Sequence, residues 1–168
     1  MNIEKLLKLE SDLLGIGPDD PVQLDMWQWG VIQEGCLTAA CALGRSALLF
    51  PQELTFESVR QITSDKRHPH AGGIAQRVRH LKTGSEGFQA GMHCFGLTFD
   101  ESRYIFDQGT YLSEEEKKIK RGPNGEVLFT PVPAERVAER IRYLLNGGKV
   151  YLGPCCIMNE NGDLEIHS

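Results

Sequence analysis

The chain has 168 residues, 40% of them apolar and 24% charged, and a net charge of −5. That length suits one domain with a real core, and the balance argues against a disordered or membrane-embedded chain. No apolar run approaches the roughly 20 residues of a spanning helix, and the negative charge disfavours nucleic acid and anionic lipid as partners.

Residues 3–14 put Ile3, Leu6, Leu7, Leu13 and Leu14 at helical spacing, and Gly15, Gly17 and Pro18 end that helix. GPDDPVQLDMWQWG reads as a turn followed by a short aromatic segment. CLTAACALGRSALLF, from Cys36 to Phe50, is apolar nearly all round, as in a helix buried at the centre of a domain. Pro51 stops it. Thr55 then has the chemistry of an N-cap, with Leu54 and Val59 placed as a hydrophobic staple, which predicts a helix carrying Phe56, Val59 and Ile62 inward.

SDKRHPHAGG is loop-like, and a helix is expected from about Gly73 to Leu81 on Ile74, Val78 and Leu81. GMHCF begins a further short helix. Thr98 and Glu101 form a capping box ahead of SRYIF, and Ser113 with Glu116 repeats it ahead of EKKIK. Proline at 131 or 133 starts an amphipathic helix with Val137, Ile141, Leu144 and Leu145, closed by Gly147-Gly148. The last residues read as two short strands joined at Asn161-Gly162. LTFESVRQI and LTFDESRYI look alike, and the likeness is taken as convergence on a helix cap, not a repeat. The expected fold is therefore mainly α: a single compact helical domain over residues 1–168, with a central apolar helix and a C-terminal β-hairpin.

Asp25-Met26, Trp27, Trp29-Gly30 and CLTAACALGRSALLFPQ, with FGLTFDESRYIFDQGTY further on, resemble an uncharacterised family of small bacterial and phage-associated proteins. In that family an aspartate-methionine pair and a tryptophan precede a CGTxACxxG helix. The likeness covers about residues 22 to 145 and departs at Leu37, where the pattern has glycine. It implies no activity and transfers no catalytic residue.

Five cysteines, at 36, 41, 94, 155 and 156, are an odd number in a chain that starts on an amphipathic helix and not a signal peptide. Reduced thiols and a cytoplasmic setting are expected. Cys36, at the expected start of a buried helix, is a candidate nucleophile, because a helix N-terminus favours the thiolate. His93 and His80 are its candidate bases in a papain-like thiol hydrolase. Against this stands the commoner buried cysteine that acts as a small apolar residue. No metal site is expected: Cys36 and Cys41 diverge on a helix, there is no C-x-x-C, and His68-Pro69-His70 is a spacing common in loops. No cofactor motif is present.

The basic run from Lys66 to Lys82 reads first as a solvated face, with Arg77 and Arg79 as candidate anion contacts beside Gly72-Gly73. Trp27 and Trp29 are the candidate binding aromatics. The favoured expectation is a non-enzymatic interaction protein with an unidentified protein partner, and the thiol hydrolase is the alternative. An unpaired edge of the terminal hairpin would give a homodimer.

Overall fold

The computed structural model describes residues 1–113, 116, 120–123, 125, 127–128, 130–152, 155–158 and 164–167. Among them the chain is not mainly helical: five α-helices pack with a five-stranded mixed sheet, an α/β arrangement, and strands are not confined to the C-terminus. The strands are β1 (Gln23–Leu24), β2 (Gly30–Gln33), β3 (Cys36–Ala40), β4 (Leu54–Gln61) and β5 (Ile74–His80), in the order β1-β3-β2-β5-β4. Only β1 and β3 run parallel.

Three expected helical stretches are corrected by this sheet. The central helix of residues 36 to 50 is a strand, β3, followed by α2 (Ala42–Leu49) with Cys41 as its N-cap. The strand half pairs on both sides, which satisfies its backbone, so its alanines lie buried in a sheet. The helices expected at 55–62 and 73–81 are β4 and β5. On β5 Ala75 is buried on one face, and Gln76, Val78 and His80 are buried on the other, with Arg77 and Arg79 between them. That face has period two, but polar side chains occupy two of its three sites and disguise it.

β2 and β3 are joined by the two residues Glu34 and Gly35, at φ +51° and +82°. Both lie in the left-handed region, as a tight hairpin turn with the twist of its strands requires.

The remaining helices match their sequence signals more closely. α1 (Ile3–Leu14) starts on Asn2, whose side chain accepts from the Lys5 N–H. Its buried face is Leu6, Leu9 and Leu13, while Ile3, Leu7 and Leu14 are exposed, so the apolar stripe is turned from the expected one. α3 (Gly87–Phe95) begins earlier than GMHCF. α4 (Phe99–Phe106) carries the full Thr98–Glu101 capping box. Ser113 and Glu116 make the same reciprocal bonds. The helix expected after them falls largely outside the described residues. α5 (Ala134–Leu145) follows Pro133 and buries Val137, Ala138, Ile141 and Leu144.

Short strands β6 (Lys120–Arg121) and β7 (Val127–Leu128) pair, as do β8 (Cys155–Met158) and β9 (Leu164–His167), the expected terminal strands. Their Asn161-Gly162 turn lies outside the described residues.

One core joins helices to sheet. Leu6, Leu9 and Leu13 of α1 meet Leu43 and Ala47 of α2, Val78 of β5, Phe95, Phe106 and Ile141. Arg45 of α2 is buried and binds the carboxylates of Asp12 and Asp20 and the Val22 carbonyl, tying the end of α1 to the approach to β1. No helix among the described residues is long and apolar enough to cross a membrane.

Candidate functional site

Strand register decides which side chains meet. Residues paired directly across strands share a face of the sheet. Val31 pairs with both Ala39 and Ala75, and Gln33 pairs with Cys36. Gln23 pairs with Ala39, so Asp25, two residues on, continues the same side. Over this face run the loop of residues 62–73 and the aromatic segment after β1.

Three open depressions adjoin along it. The first, about 360 Å³, is lined by Trp27, Trp29, Arg60, Ala75, Gln76 and Arg77 among others. The second, about 500 Å³, has Asp25 and His70 in its wall, with Leu24, Met26, Trp27 and Val132 giving it an apolar surface. The third, about 540 Å³, holds Cys36, Glu34, Ala71 and Gly72. Trp27 borders the first and second, and Gln33 and Thr38 border the second and third. Shared walls make the three one discontinuous trough, with Trp27 as a ridge across it.

The ridge is held from several sides. The Trp27 N–H donates to Asp25 Oδ1 at 2.9 Å, and its indole N–H points at the Thr130 carbonyl at 3.4 Å. The Cys41 N–H donates to the Gln28 carbonyl at 2.8 Å, clamping the same segment to the start of α2. Trp29 stacks edge-on to Phe88 at 6.1 Å and lies so close over Gly87 that a Cβ there would meet its ring at 2.4 Å. A side chain at Gly44 would meet the Trp29 carbonyl at 1.8 Å. Two glycines thus let the aromatic segment lie flat against the helices.

Charge is unevenly distributed. Arg77 bonds Glu86 at 2.5 Å, and Arg79 lies 3.7 Å from Glu57. The Arg60 guanidinium, at the rim of the first depression, has no partner among the described residues. His70 Nε2 bonds Asp25 Oδ2 at 2.5 Å, leaving Nδ1 without a partner among the described residues. Neighbouring His68 has its pKa lowered by burial and by the His70 charge.

Of the residues singled out in the sequence, Trp27, Trp29 and Arg77 come together in one depression, while Arg79 is not part of its lining and faces Glu57. Cys36 is the exposed first residue of β3 and does not start a helix. His80 ends β5, six residues beyond Ile74, which pairs near the Cys36 hairpin. At the rise of a strand that is about 20 Å. His93 accompanies His80, ring to ring at 5.7 Å, so neither reaches the thiol. Asp25 with His70 is the oriented imidazole nearest in register, but Asp25 lies five strand positions from Cys36, about 16 Å.

The helix N-terminus belongs instead to Cys41, whose thiol burial pushes up to about 12 despite the N–H groups of Leu43 and Gly44. Cys94 is likewise raised to about 12 by burial. Among the described residues no three His, Cys, Asp or Glu side chains gather to hold a metal ion.

Sequence reasoning passed over Arg60 and the pairing of His70 with Asp25, having weighed His70 only as part of a His68-Pro69-His70 chelate. Arg60 sits in what reads as a helix, and the His70–Asp25 contact spans 45 residues without any local spacing to reveal it. Comparison with protein-family models, curated proteins and solved structures returned no match.

Proposed function

We propose that this chain is a non-enzymatic binding protein that takes an extended segment of a protein partner along the Trp27 trough. The observation that carries the reading is the chaining of three open depressions through Trp27, Gln33 and Thr38. A run of adjoining hollows, each of the size of one or two side chains, suits an extended polypeptide better than one compact ligand. Aromatic and arginine side chains are also the residues that most often anchor interfaces. The distance from Cys36 to His80 and His93 leaves the thiol-hydrolase alternative unsupported. A cytoplasmic setting belongs to the same proposal, on the strength of the odd number of thiols.

The test is selection of random heptapeptides on the folded chain, followed by measurement of each enriched clone against two variants. Trp27→Ala removes the ridge, and Val59→Glu places a negative charge on an exposed rim position of the first depression. Clones that bind the native chain and lose at least about tenfold in both variants are expected. Clones that bind all three proteins equally would refute the trough as the binding surface. Light scattering on the same samples reads out self-association through the terminal hairpin.

A further inference from the structure

We propose that the segment taken by the trough is acidic, with its carboxylates at the Arg60 end and an apolar side chain beyond the Trp27 ridge; this rests on the trough being a polypeptide site. The lining of the first depression contains two guanidinium groups, Arg60 and Arg77, and no carboxylate. Arg77 is engaged by Glu86 through one nitrogen, and Arg60 is engaged by nothing among the described residues. In a chain of net charge −5 this is a local reversal of sign. It would attract a negatively charged segment and set its direction.

The middle of the trough offers no free charge of that kind. Its one carboxylate, Asp25, already bonds His70, and Leu24, Met26 and Val132 supply an apolar wall. The far end carries Glu34. Polarity therefore runs from positive, through apolar, to negative, which fixes both the composition and the orientation of an extended occupant. A single-stranded nucleic acid fits this pattern poorly. Its phosphates repeat along the whole strand, whereas the cations lie at one end and the other end is acidic.

The experiment uses fluorescein-labelled heptapeptides in a Gly-Ser frame with a central Leu. One set carries two Glu on one side of it, and the other carries Gln in their place. Fluorescence anisotropy with the full chain at low salt should give binding about tenfold tighter for the Glu set. That advantage should shrink as salt is raised, and it should disappear in Arg60→Gln, whose exposed side chain can be changed without disturbing the core.

Equal binding of both sets, lost in Val59→Glu, would overturn the acidic preference and leave the polypeptide trough standing. Absence of binding by either set above the Val59→Glu level would overturn both. Tighter binding of an oligothymidylate than of either peptide would overturn the proposal in favour of nucleic acid.

Discussion

Replacing Gly44 by alanine tests how the aromatic segment is seated on α2. A Cβ at this position would lie 1.8 Å from the Trp29 carbonyl oxygen, 2.9 Å from the Ala40 Cβ and 3.0 Å from the Trp29 carbonyl carbon. Ordinary contact needs about 3.5 Å, so the Trp29 peptide would have to retreat by more than about 1 Å. It cannot do so freely, because the Gln28 carbonyl just before it accepts from the Cys41 N–H and the Trp29 ring is pinned over Gly87. Overpacking of this kind costs about 1–3 kcal/mol, and more where backbone must move. Alanine recovers up to about 1 kcal/mol through its helix propensity.

A net loss of about 2 kcal/mol is expected, or a fall in Tm of about 4–8 °C for a chain of this length. Gly17→Ala is the control: nothing lies within 4 Å of its Cβ position, and its change should stay within about 0.5 kcal/mol. Urea unfolding of both variants decides the matter. A Gly44→Ala protein as stable as Gly17→Ala would refute the close approach of α2 to the Trp29 backbone.

Other outcomes follow from the same structure. In native protein at neutral pH, iodoacetamide should label Cys36 and spare Cys41 and Cys94, which are buried with thiol pKa values of about 12; mass spectrometry of the peptides before and after unfolding checks this. Arg45→Met leaves the Asp12 and Asp20 carboxylates facing each other without their shared cation, and should cost about 3 kcal/mol in urea unfolding. Burial lowers the pKa of both His68 and His80, so the unfolded chain takes up protons first as the solution is acidified. Stability should be full above about pH 6.5 and decline below it, and His80→Gln should flatten that decline in urea midpoints taken between pH 8 and 5. Glu34→Asn, at φ +51°, should gain about 1 kcal/mol, because asparagine tolerates the left-handed region better than glutamate.

The two LTF strings show what local sequence can and cannot reveal. Thr98 is followed at the third position by Glu101, and both halves of the capping box form. Thr55 is followed there by Ser58, which cannot reach back to close a box, and then by β-branched Val59. The missing glutamate and the following valine were the local signs against a helix. The deciding force, however, is not local: residues 54–61 pair with β5, which in turn pairs with β2. Neither partner is visible from the strand itself. The Glu34-Gly35 hairpin hid for a related reason, since glutamate is an uncommon first residue for a turn that asks for Asn or Asp.

The same division runs through the trough. Trp27 and Trp29 were legible as binding candidates because two tryptophans beside a glycine in a polar stretch are hard to bury completely. Arg77 was legible as a charge but placed on a helix, where its neighbours would have been residues three and four away. In the sheet its neighbours are Glu57, across the ladder, and the groove that holds Arg60. The bulge between Ser58 and Arg60 is what brings that second arginine round: Glu57 pairs with Arg77, and Arg60 pairs with Ala75 two positions on, so both lie on the Ala75–Arg77 side of the sheet. A regular strand would have sent Arg60 to the opposite face from Glu57. Val59 is the inserted residue that keeps Arg60 on this side; deleting it regularises the ladder and still sets Arg60 opposite Ala75, so the acidic-peptide preference should survive that deletion and be lost in Arg60→Gln.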